Sequence, residues 1–234
     1  MNITFWSRIF LGEYIPQASM FVESLGTRLL PTLKEEDITY EAEAVSEDVY
    51  EQLGSMPAPA DGGELAEIAD IAHDAGLNHY LMLSGIRQGL INMFAVGLYH
   101  LFEQQLLQFH RRELLEISEE EDEKLWNVPT AITRLESKGF EAERLACWPT
   151  IDELRLVANT VKHADGASAK QLRQRQPRYF QSPAAAEFGI EATKSQLFRP
   201  LGGEDLFLAV NDIQIYHAAI VEFWTSLARV PSGA

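Results

Sequence analysis

The residues best suited to chemistry lie on one short segment in the second half of the chain. Arg155, Asn159 and His163 are spaced by four residues, so on an α-helix their side chains fall on one face, with Lys162 beside them. A guanidinium binds phosphate oxygens in pairs, an amide orients a sugar or base, and an imidazole transfers protons near neutral pH. We therefore take Arg155, Asn159 and His163 as candidate catalytic residues acting on a phosphate ester. An ordinary solvated face, with Lys162 and His163 near the negative end of the helix dipole, is the alternative interpretation.

A basic segment continues from these residues. Residues 155–178 contain six lysines and arginines but one acidic residue, Asp165, although the whole chain has a net charge of −16. Such a segment in an acidic protein is the expected footprint of an anion or a nucleic acid. Its candidate substrate-binding residues are Lys162, Lys170, Arg173, Arg175 and Arg178. Tyr179 and Phe180 follow directly and either stack on a base or belong to the core. Residues 155–180 are thus the predicted RNA contact.

A supporting group of polar residues interrupts a strongly apolar helix. Tyr99, His100 and Glu103 need partners if they are buried. The pair His100 and Glu103 is interpreted either as two metal ligands or as a hydrogen-bonded core pair behind the Arg155 face. A di-iron site would need Glu-x-x-His on two helices plus two further glutamates, and the sequence lacks that set. We expect neither metal nor cofactor, because phosphate-loop, dinucleotide, serine-hydrolase and zinc-protease motifs are also missing.

The helix that carries the candidate catalytic residues has clear local signals. Thr150 and Glu153 have the spacing of a capping box, in which each side chain bonds the backbone N–H of the other. Gly166 stands where a left-handed helix end is expected. The buried stripe is predicted to consist of Leu154, Val157, Ala158 and Val161.

Most other segments are also predicted to be helical. Apolar residues almost encircle Asn78–Glu116, which is typical of a helix at the centre of a bundle. Pro129 begins a short helix, and Asn211 is the expected N-cap of the last one. Signals for extended structure are limited to Asp37–Val45, which is either a strand or a helix start, and Leu206–Val210. The predicted fold class is mostly α, a helical bundle with a long central helix and little extended structure.

The cluster Ser55–Gly63, rich in Pro and Gly, marks the predicted internal boundary. It separates an N-terminal helical segment of unclear role, residues 1–60, from a helical-bundle domain, residues 61–234. A helical pattern that begins at Leu65 is expected to stop near Gly76.

Composition limits the environment and the partners of the chain. The single cysteine, Cys147, excludes an internal disulfide, and no cysteine cluster is available for zinc. The first residues lack the pattern of a secretory signal. Four polar residues interrupt the most apolar stretch, namely Arg87, Gln88, Asn92 and His100. We therefore expect a soluble, cytoplasmic protein with no membrane contact.

The segment Asn159–His163, together with the earlier Tyr99–Glu103, resembles the HEPN superfamily of helical-bundle proteins. Many members are metal-independent ribonucleases of toxin–antitoxin, abortive-infection and other defence systems. Their hallmark is a helix with an Arg, a few residues and then a His, often with a polar residue directly after the Arg. The similarity covers residues 80–228. In this chain Ala158 occupies the place where the family's Arg would precede Asn159, and the nearest arginine is Arg155.

The resemblance implies a site at the interface of a homodimer, where motifs from two chains face one cleft. It implies that His163 is the general acid or base, that Arg155 binds phosphate and stabilises the transition state, and that Asn159 orients the substrate. The RNA 2′-hydroxyl would be the nucleophile, and no metal would be needed.

Three functions stay open as hypotheses. The first is a HEPN-like endoribonuclease or toxin acting on RNA. The second is a non-catalytic helical protein that binds a protein partner as an antitoxin, immunity or scaffold component, which the acidic charge and Ala158 favour. The third is a small-molecule or metal-binding bundle that uses His100, Glu103 and His163.

Overall fold

The computed structural model describes residues 1–55, 65–182 and 205–231. The helices are α1 (Ile3–Ile9), α2 (Ile15–Ser24), α3 (Glu35–Gly54), α4 (Leu65–Phe109), α5 (Val128–Ser137), α6 (Trp148–His163), α7 (Ala167–Arg175) and α8 (Val210–Ala228). Short π-helical turns lie at Phe10–Tyr14, Leu25–Leu29 and His110–Leu114. None of the three described ranges contains a strand, so the predicted mostly α bundle with a long central helix, α4, is confirmed.

The chain divides into two compact units. The first unit consists of Met1–Leu25 and the described residues from Ile91 onward, and the second unit is Gly26–Leu90. The predicted boundary after residue 60 lies outside the described residues, as does most of the cluster Ser55–Gly63. All the candidate site residues named from the sequence belong to the first unit.

In the second unit, α3 and the beginning of α4 pack closely at a glycine. A Cβ atom at Gly76 would lie 2.7 Å from the carbonyl oxygen of Ala42, so any side chain there would collide with the backbone of α3. His79 Nε2 lies 3.6 Å from Glu41 Oε2 across the same pair of helices. The expectation that the helix stops near Gly76 is therefore wrong, because this glycine allows close packing and does not end α4.

The two stretches with weak signals for extended structure form no strand. Asp37–Val45 lies inside α3, whose first turn is acidic and so complements the positive end of the helix dipole. Its buried residues, Ile38 and Ala42, are four apart, as one helix face requires. Leu206–Val210 reaches α8 without pairing to another segment as a strand. The alternation of residue types was too weak to override helix packing.

Aromatic rings dominate the core of the first unit. Phe10 stacks on Trp224 with ring centroids 4.9 Å apart, and Trp6 meets Phe109 edge-on at 4.9 Å. All four rings are almost completely buried. Each such pair contributes about 0.5–1.5 kcal/mol beyond the burial of its area. The cluster joins the start of the chain to the end of α4 and to α8.

α6 packs against α7 and α8 with one apolar face. Its buried residues are Ile151, Leu154, Leu156, Val157, Ala158 and Thr160. The predicted stripe is confirmed for Leu154, Val157 and Ala158, whereas Val161 is only half-buried. The buried face is therefore wider than predicted and leaves one side of α6 for the candidate site.

The predicted ends of α6 are wrong. The helix begins at Trp148 with Pro149 in its first turn, so Thr150 lies inside the helix and caps nothing. At the other end Ala164, with φ of 54°, takes the positive-φ position that was expected for Gly166. The predicted start at Thr150 and the predicted end at Gly166 are wrong for the same reason. The packing of α6 against its neighbours determines its length, and the capping signals in the sequence do not.

The helices on either side follow the sequence more closely. Asn127 caps α5 by accepting a hydrogen bond from a backbone N–H of the first turn, and Pro129 lies in that turn as predicted. Gly139, with φ of 83°, follows the end of α5. α8 begins one residue before the expected N-cap Asn211, and the Asp212 carboxylate accepts a hydrogen bond from the N-cap N–H at 2.8 Å.

One helical stretch, Ala66–Leu114, is long and apolar enough to cross a membrane when length and composition alone are considered. The core helix of a soluble protein passes the same test, and 28% of its most apolar window is buried. Asn92, in this stretch, is fully buried and donates a hydrogen bond to the carbonyl of Leu206 at 2.7 Å. This part of α4 thus has polar partners inside the first unit.

His110 is a buried titratable group in the π-helical turn after α4. Neither of its ring nitrogens has a hydrogen-bond partner among the residues that the structure describes. Burial lowers the pKa of His110, the charge of Arg134 lowers it further, and Glu119 opposes both. A lowered folded-state pKa means that the unfolded chain takes up the proton first as the pH falls. The stability that the neutral imidazole contributes is therefore complete above about pH 6.5 and is lost below it.

We expect the free energy of unfolding to fall as the pH is lowered from 7.5 to 5.5. The contribution of His110 is at most about 1.4 kcal/mol for each pH unit. Burial also lowers the pKa of His217, which acts in the same direction. Urea titrations across this range measure the slope, and His110→Leu should flatten it. An equal slope in both proteins would assign the effect to other groups.

Candidate functional site

A cleft of about 810 Å³ lies at α4, α5 and α6 in the first unit. Five residues selected from the sequence line it, namely Tyr99, Glu103, Arg155, Asn159 and Lys162. Further lining residues include Trp126, Asn127, Thr133, Glu136, Glu143, Trp148 and Asp152. The cleft therefore joins the supporting group of α4 to most of the candidate catalytic face of α6.

Helical spacing explains why these side chains meet. The lining residues of α6 recur every three or four positions, at Trp148, Asp152, Arg155, Asn159 and Lys162. On α4 the corresponding positions are Tyr99, Glu103 and Leu107. Residues at this spacing share one face of a helix. The opposite face of α6 is the buried one, so the packing that builds the core also turns the polar face toward the cleft.

Arg155 is held by a carboxylate of its own helix. Its Nε and Nη2 atoms donate to Asp152 Oδ1 at 2.9 and 2.7 Å, and Arg175 donates to Asp152 Oδ2 at 2.6 Å. Burial opposes the charge of Asp152, but the hydrogen bonds from both guanidinium groups outweigh it and lower the pKa of this carboxyl. Arg155 therefore lines the cleft as a fixed cation that shares the single charge of Asp152 with Arg175.

Carboxylates also pair with the other arginines of the basic segment. Arg178 donates to Asp212 Oδ1 at 2.6 Å, and Arg173 lies 3.7 Å from Asp165 while its guanidinium covers the ring of Phe180. In the sequence, the only negative charge within residues 155–178 is that of Asp165. Asp152, three residues before this segment, and Asp212, from α8, add two carboxylates, so this surface is less positive than the sequence predicts.

The predicted substrate-binding residues divide between the cleft and other surfaces. Lys162 lines the cleft, whereas Lys170, Arg173, Arg175 and Arg178 do not. Tyr179 is fully buried and Phe180 is half-buried, which supports the core interpretation of that aromatic pair.

The two candidate histidines do not line the cleft. His163 is the last residue of α6 and is exposed. His100 has a side chain that is 64% exposed, and its Nδ1 atom lies 3.9 Å from Glu103 Oε2. The interpretation of His100 and Glu103 as a core pair is therefore wrong. His100 follows buried Tyr99 by one residue, and this rotation of about 100° takes its ring into solvent.

Negative charge predominates in the cleft once the internal ion pairs are considered. Glu136 and Glu143 are exposed and have no ion-pair partner among the described residues, and Glu103 has only the distant His100. Lys162 is the one lining cation in this part of the chain without an ion pair. Burial raises the pKa of Tyr99 to about 12, helped by Glu103 and opposed by Arg155. The tyrosine therefore stays protonated and offers a hydroxyl to a ligand.

Sequence reasoning missed several lining residues. Trp126, Glu136 and Glu143 lie on short elements outside the segments that carried a motif. Asp152 had a usable signal, because an acidic residue three positions before Arg155 is well placed for an ion pair on a helix. Trp148 begins the same face four residues before Asp152 and would have been found by extending that face backward.

Replacing His163 with Ala is expected to leave the fold intact. The side chain is exposed at the end of α6, where it contributes only through the helix dipole. The free energy of unfolding should change by less than about 1 kcal/mol. A thermal melt beside Lys162→Ala, its exposed neighbour, checks this, and loss of cooperative unfolding would show that His163 packs in the core.

No protein-family model, curated protein or solved structure matches this chain. In the described ranges no three His, Cys, Asp or Glu side chains are grouped so that they could hold a metal ion. The function is therefore argued from the cleft itself.

Proposed function

We propose that the cleft binds a positively charged segment of a partner protein, as a non-catalytic helical protein would. The observation that carries this proposal is the charge of the lining. Glu103, Glu136 and Glu143 are available to a ligand, whereas Arg155 is already bound to Asp152. A lysine or arginine of the partner gains these carboxylates without displacing an internal ion pair.

The aromatic lining supports a peptide-like ligand. Trp126 and Trp148 are half-buried and line the cleft together with the hydroxyl-bearing Tyr99. Indole and phenol rings offer a large apolar surface and a polar edge, which is why they are enriched where proteins bind proteins. A cation can also lie over an indole face. The cleft therefore suits a basic side chain with apolar neighbours.

The same charge distribution disfavours a polyanion. Phosphates that approached Arg155 would compete with Asp152 and would meet the three free carboxylates of the lining. Like charges at short range raise the cost of binding in a partly enclosed site. The net charge of −16 adds repulsion at longer range.

Selection from a random peptide display library on the full chain tests the proposal. We expect enriched peptides to contain Lys or Arg, and we expect the enrichment to disappear on the double variant Glu103→Gln and Glu136→Gln. The matched control changes two exposed glutamates outside the cleft, Glu121→Gln and Glu123→Gln, with the same change in net charge. Equal enrichment on both double variants would contradict the proposal.

A metal-independent HEPN-like ribonuclease is the second candidate, and one observation favours it. Arg155 and Asn159, which the resemblance assigns to an RNA site, share one cleft with Lys162, Tyr99 and Glu103. In a homodimer, His163 of the two chains would supply the general acid and base to the RNA 2′-hydroxyl and the leaving oxygen. Such a protein would belong to a toxin–antitoxin or other defence system.

Total RNA and transfer RNA, incubated with the protein in the presence and absence of EDTA, test this second candidate. Cleavage that survives EDTA and disappears in His163→Ala would support it. No cleavage, or equal traces from both proteins, would leave only the binding proposal. His163→Ala is a suitable comparison because the side chain is exposed and we expect the variant to fold.

A further inference from the structure

A second groove, of about 420 Å³, adjoins the cleft. It is lined by Gln104, Leu107, Gln108, Arg111, Arg112 and Trp126, of which Leu107 and Trp126 also line the cleft. Two guanidinium groups and two amides line the groove, and none of the described lining residues is a carboxylate. The groove is therefore a locally positive surface on an acidic chain, directly beside a cleft of the opposite sign.

The arginines of the groove differ from those of the basic segment. Arg155, Arg173, Arg175 and Arg178 each have a carboxylate partner within 4 Å. Arg111 and Arg112 have none among the described residues. Within the described part of the chain no hydrogen bond from their guanidinium N–H groups competes with a ligand, so this groove is better suited to bind an anion than the paired arginines of the basic segment.

Arg111 is already oriented for binding. Its guanidinium carbon lies 4.1 Å from the centroid of the Trp126 ring, and the Trp126 indole donates a hydrogen bond to the carbonyl of Glu120 at 3.2 Å. The ring is thus fixed, and stacking on it restrains the long arginine side chain. Less rotamer freedom is lost when such a preorganised group binds an anion.

The amides complete a set of donors. Gln108 accepts a hydrogen bond from the Tyr14 hydroxyl through its carbonyl oxygen at 3.1 Å, which leaves its N–H groups as donors. Gln104 is exposed and can turn its own N–H groups toward a ligand. A carboxylate has two oxygens and matches this arrangement, whereas a chain of phosphates would extend into the acidic cleft next to it.

We infer that the groove binds an acidic side chain of the same partner segment whose basic side chain enters the cleft. This inference rests on the proposed function and makes the ligand more specific. Glu103 in α4 and Arg111 in the π-helical turn that follows are eight residues apart, roughly 12 Å at the rise of an α-helix. An extended partner covers that distance with about four residues. The partner segment therefore carries Lys or Arg and, about four residues away, Asp or Glu.

The peptide selection on the full chain also tests this inference, because the enriched peptides can be analysed for acidic residues. We expect enriched peptides to combine a basic and an acidic residue at this spacing. For the tightest peptide, replacing its acidic residue by the matching amide should weaken binding about five-fold. When the protein carries Arg112→Gln, the same replacement in the peptide should leave the binding affinity unchanged. Arg144→Gln, an exposed arginine outside the groove, is the matched control and should behave like the unchanged protein.

The two proposals fail in different ways. If acidic residues are not enriched, or if Arg111→Gln and Arg112→Gln leave their enrichment unchanged, the inference is overturned while the basic preference still supports the proposed function. If the Glu103 and Glu136 double variant keeps its basic preference, the proposed function fails. If a random RNA pool binds more tightly than any peptide and depends on Arg112, the anion is a phosphate and the inference is overturned. A selection that enriches no peptide overturns both.

Discussion

Replacing Val157 with Asp should unfold the first unit. Val157 is fully buried in the middle of α6, where its neighbours on the same face are Leu154 and Ala158. A carboxylate at this position loses its water and gains no partner, and protonation only exchanges that cost for a buried polar group. We expect a loss of at least about 4 kcal/mol, a large part of the roughly 5–15 kcal/mol that stabilises a typical protein. Near-ultraviolet circular dichroism and a thermal melt measure the result.

Asn159→Asp is the matched control for this substitution. It places the same charge on the same helix two residues later, on the side that faces the cleft, and Asn159 is half-exposed there. Its free energy of unfolding should stay within about 1 kcal/mol of the original value. A Val157→Asp protein that melts as cooperatively as this control would show that α6 does not bury that side.

The second large effect is expected at Glu153, which connects three elements. Its Oε1 atom accepts hydrogen bonds from the hydroxyls of Tyr216 at 2.9 Å and Tyr179 at 3.2 Å. Its Oε2 atom accepts from Gln176 Nε2 at 2.9 Å. After Glu153→Ala one tyrosine hydroxyl still donates to the other, at 2.9 Å, and Arg178 still donates to Tyr179, but one hydroxyl hydrogen and Gln176 lose their acceptor. Each unsatisfied buried group costs about 1–3 kcal/mol. We therefore expect the free energy of unfolding to fall by about 3 kcal/mol in a urea titration.

A double-mutant cycle separates this network from the loss of a charge alone. Tyr216→Phe removes one of the two donors, so Glu153→Ala should cost less in the Tyr216→Phe protein than in the original one. Glu143→Ala is the control, since that glutamate is exposed and has no ion pair among the described residues. Additive effects of the two substitutions would mean that the hydrogen bonds seen between them carry little energy.

The sequence predicts the helices well where local signals and packing agree. Pro129 and the apolar residues after it place α5, and the nearly all-apolar run after Asn78 places the second half of α4. Prediction failed where a residue has a tertiary role that resembles a local signal. Gly76 looks like a helix end but lies against the backbone of Ala42, and its type alone does not distinguish the two roles.

In the candidate site, too, the features that depend on one helix were predicted and those that depend on contacts between helices were not. Spacing on one helix was sufficient to group Arg155, Asn159 and Lys162, because residues three or four apart share a face. The ion pairs of Arg175 with Asp152 and of Arg178 with Asp212 join residues that are far apart in sequence, so a count of charges along the chain overstated the positive surface. Charge near a site is a property of the folded surface, and only the packing of α6, α7 and α8 determines it.

The stacking of Phe10 on Trp224 has a consequence for how the protein is made. These rings lie near opposite ends of the chain, and together with Trp6 and Phe109 they form the centre of the first unit. Contacts between distant residues carry the full entropic cost of closing the intervening chain, so they form late. The second unit, Gly26–Leu90, is continuous and its contacts are local. During synthesis the local contacts of the second unit can form early, whereas the aromatic centre of the first unit must wait until α8 has emerged.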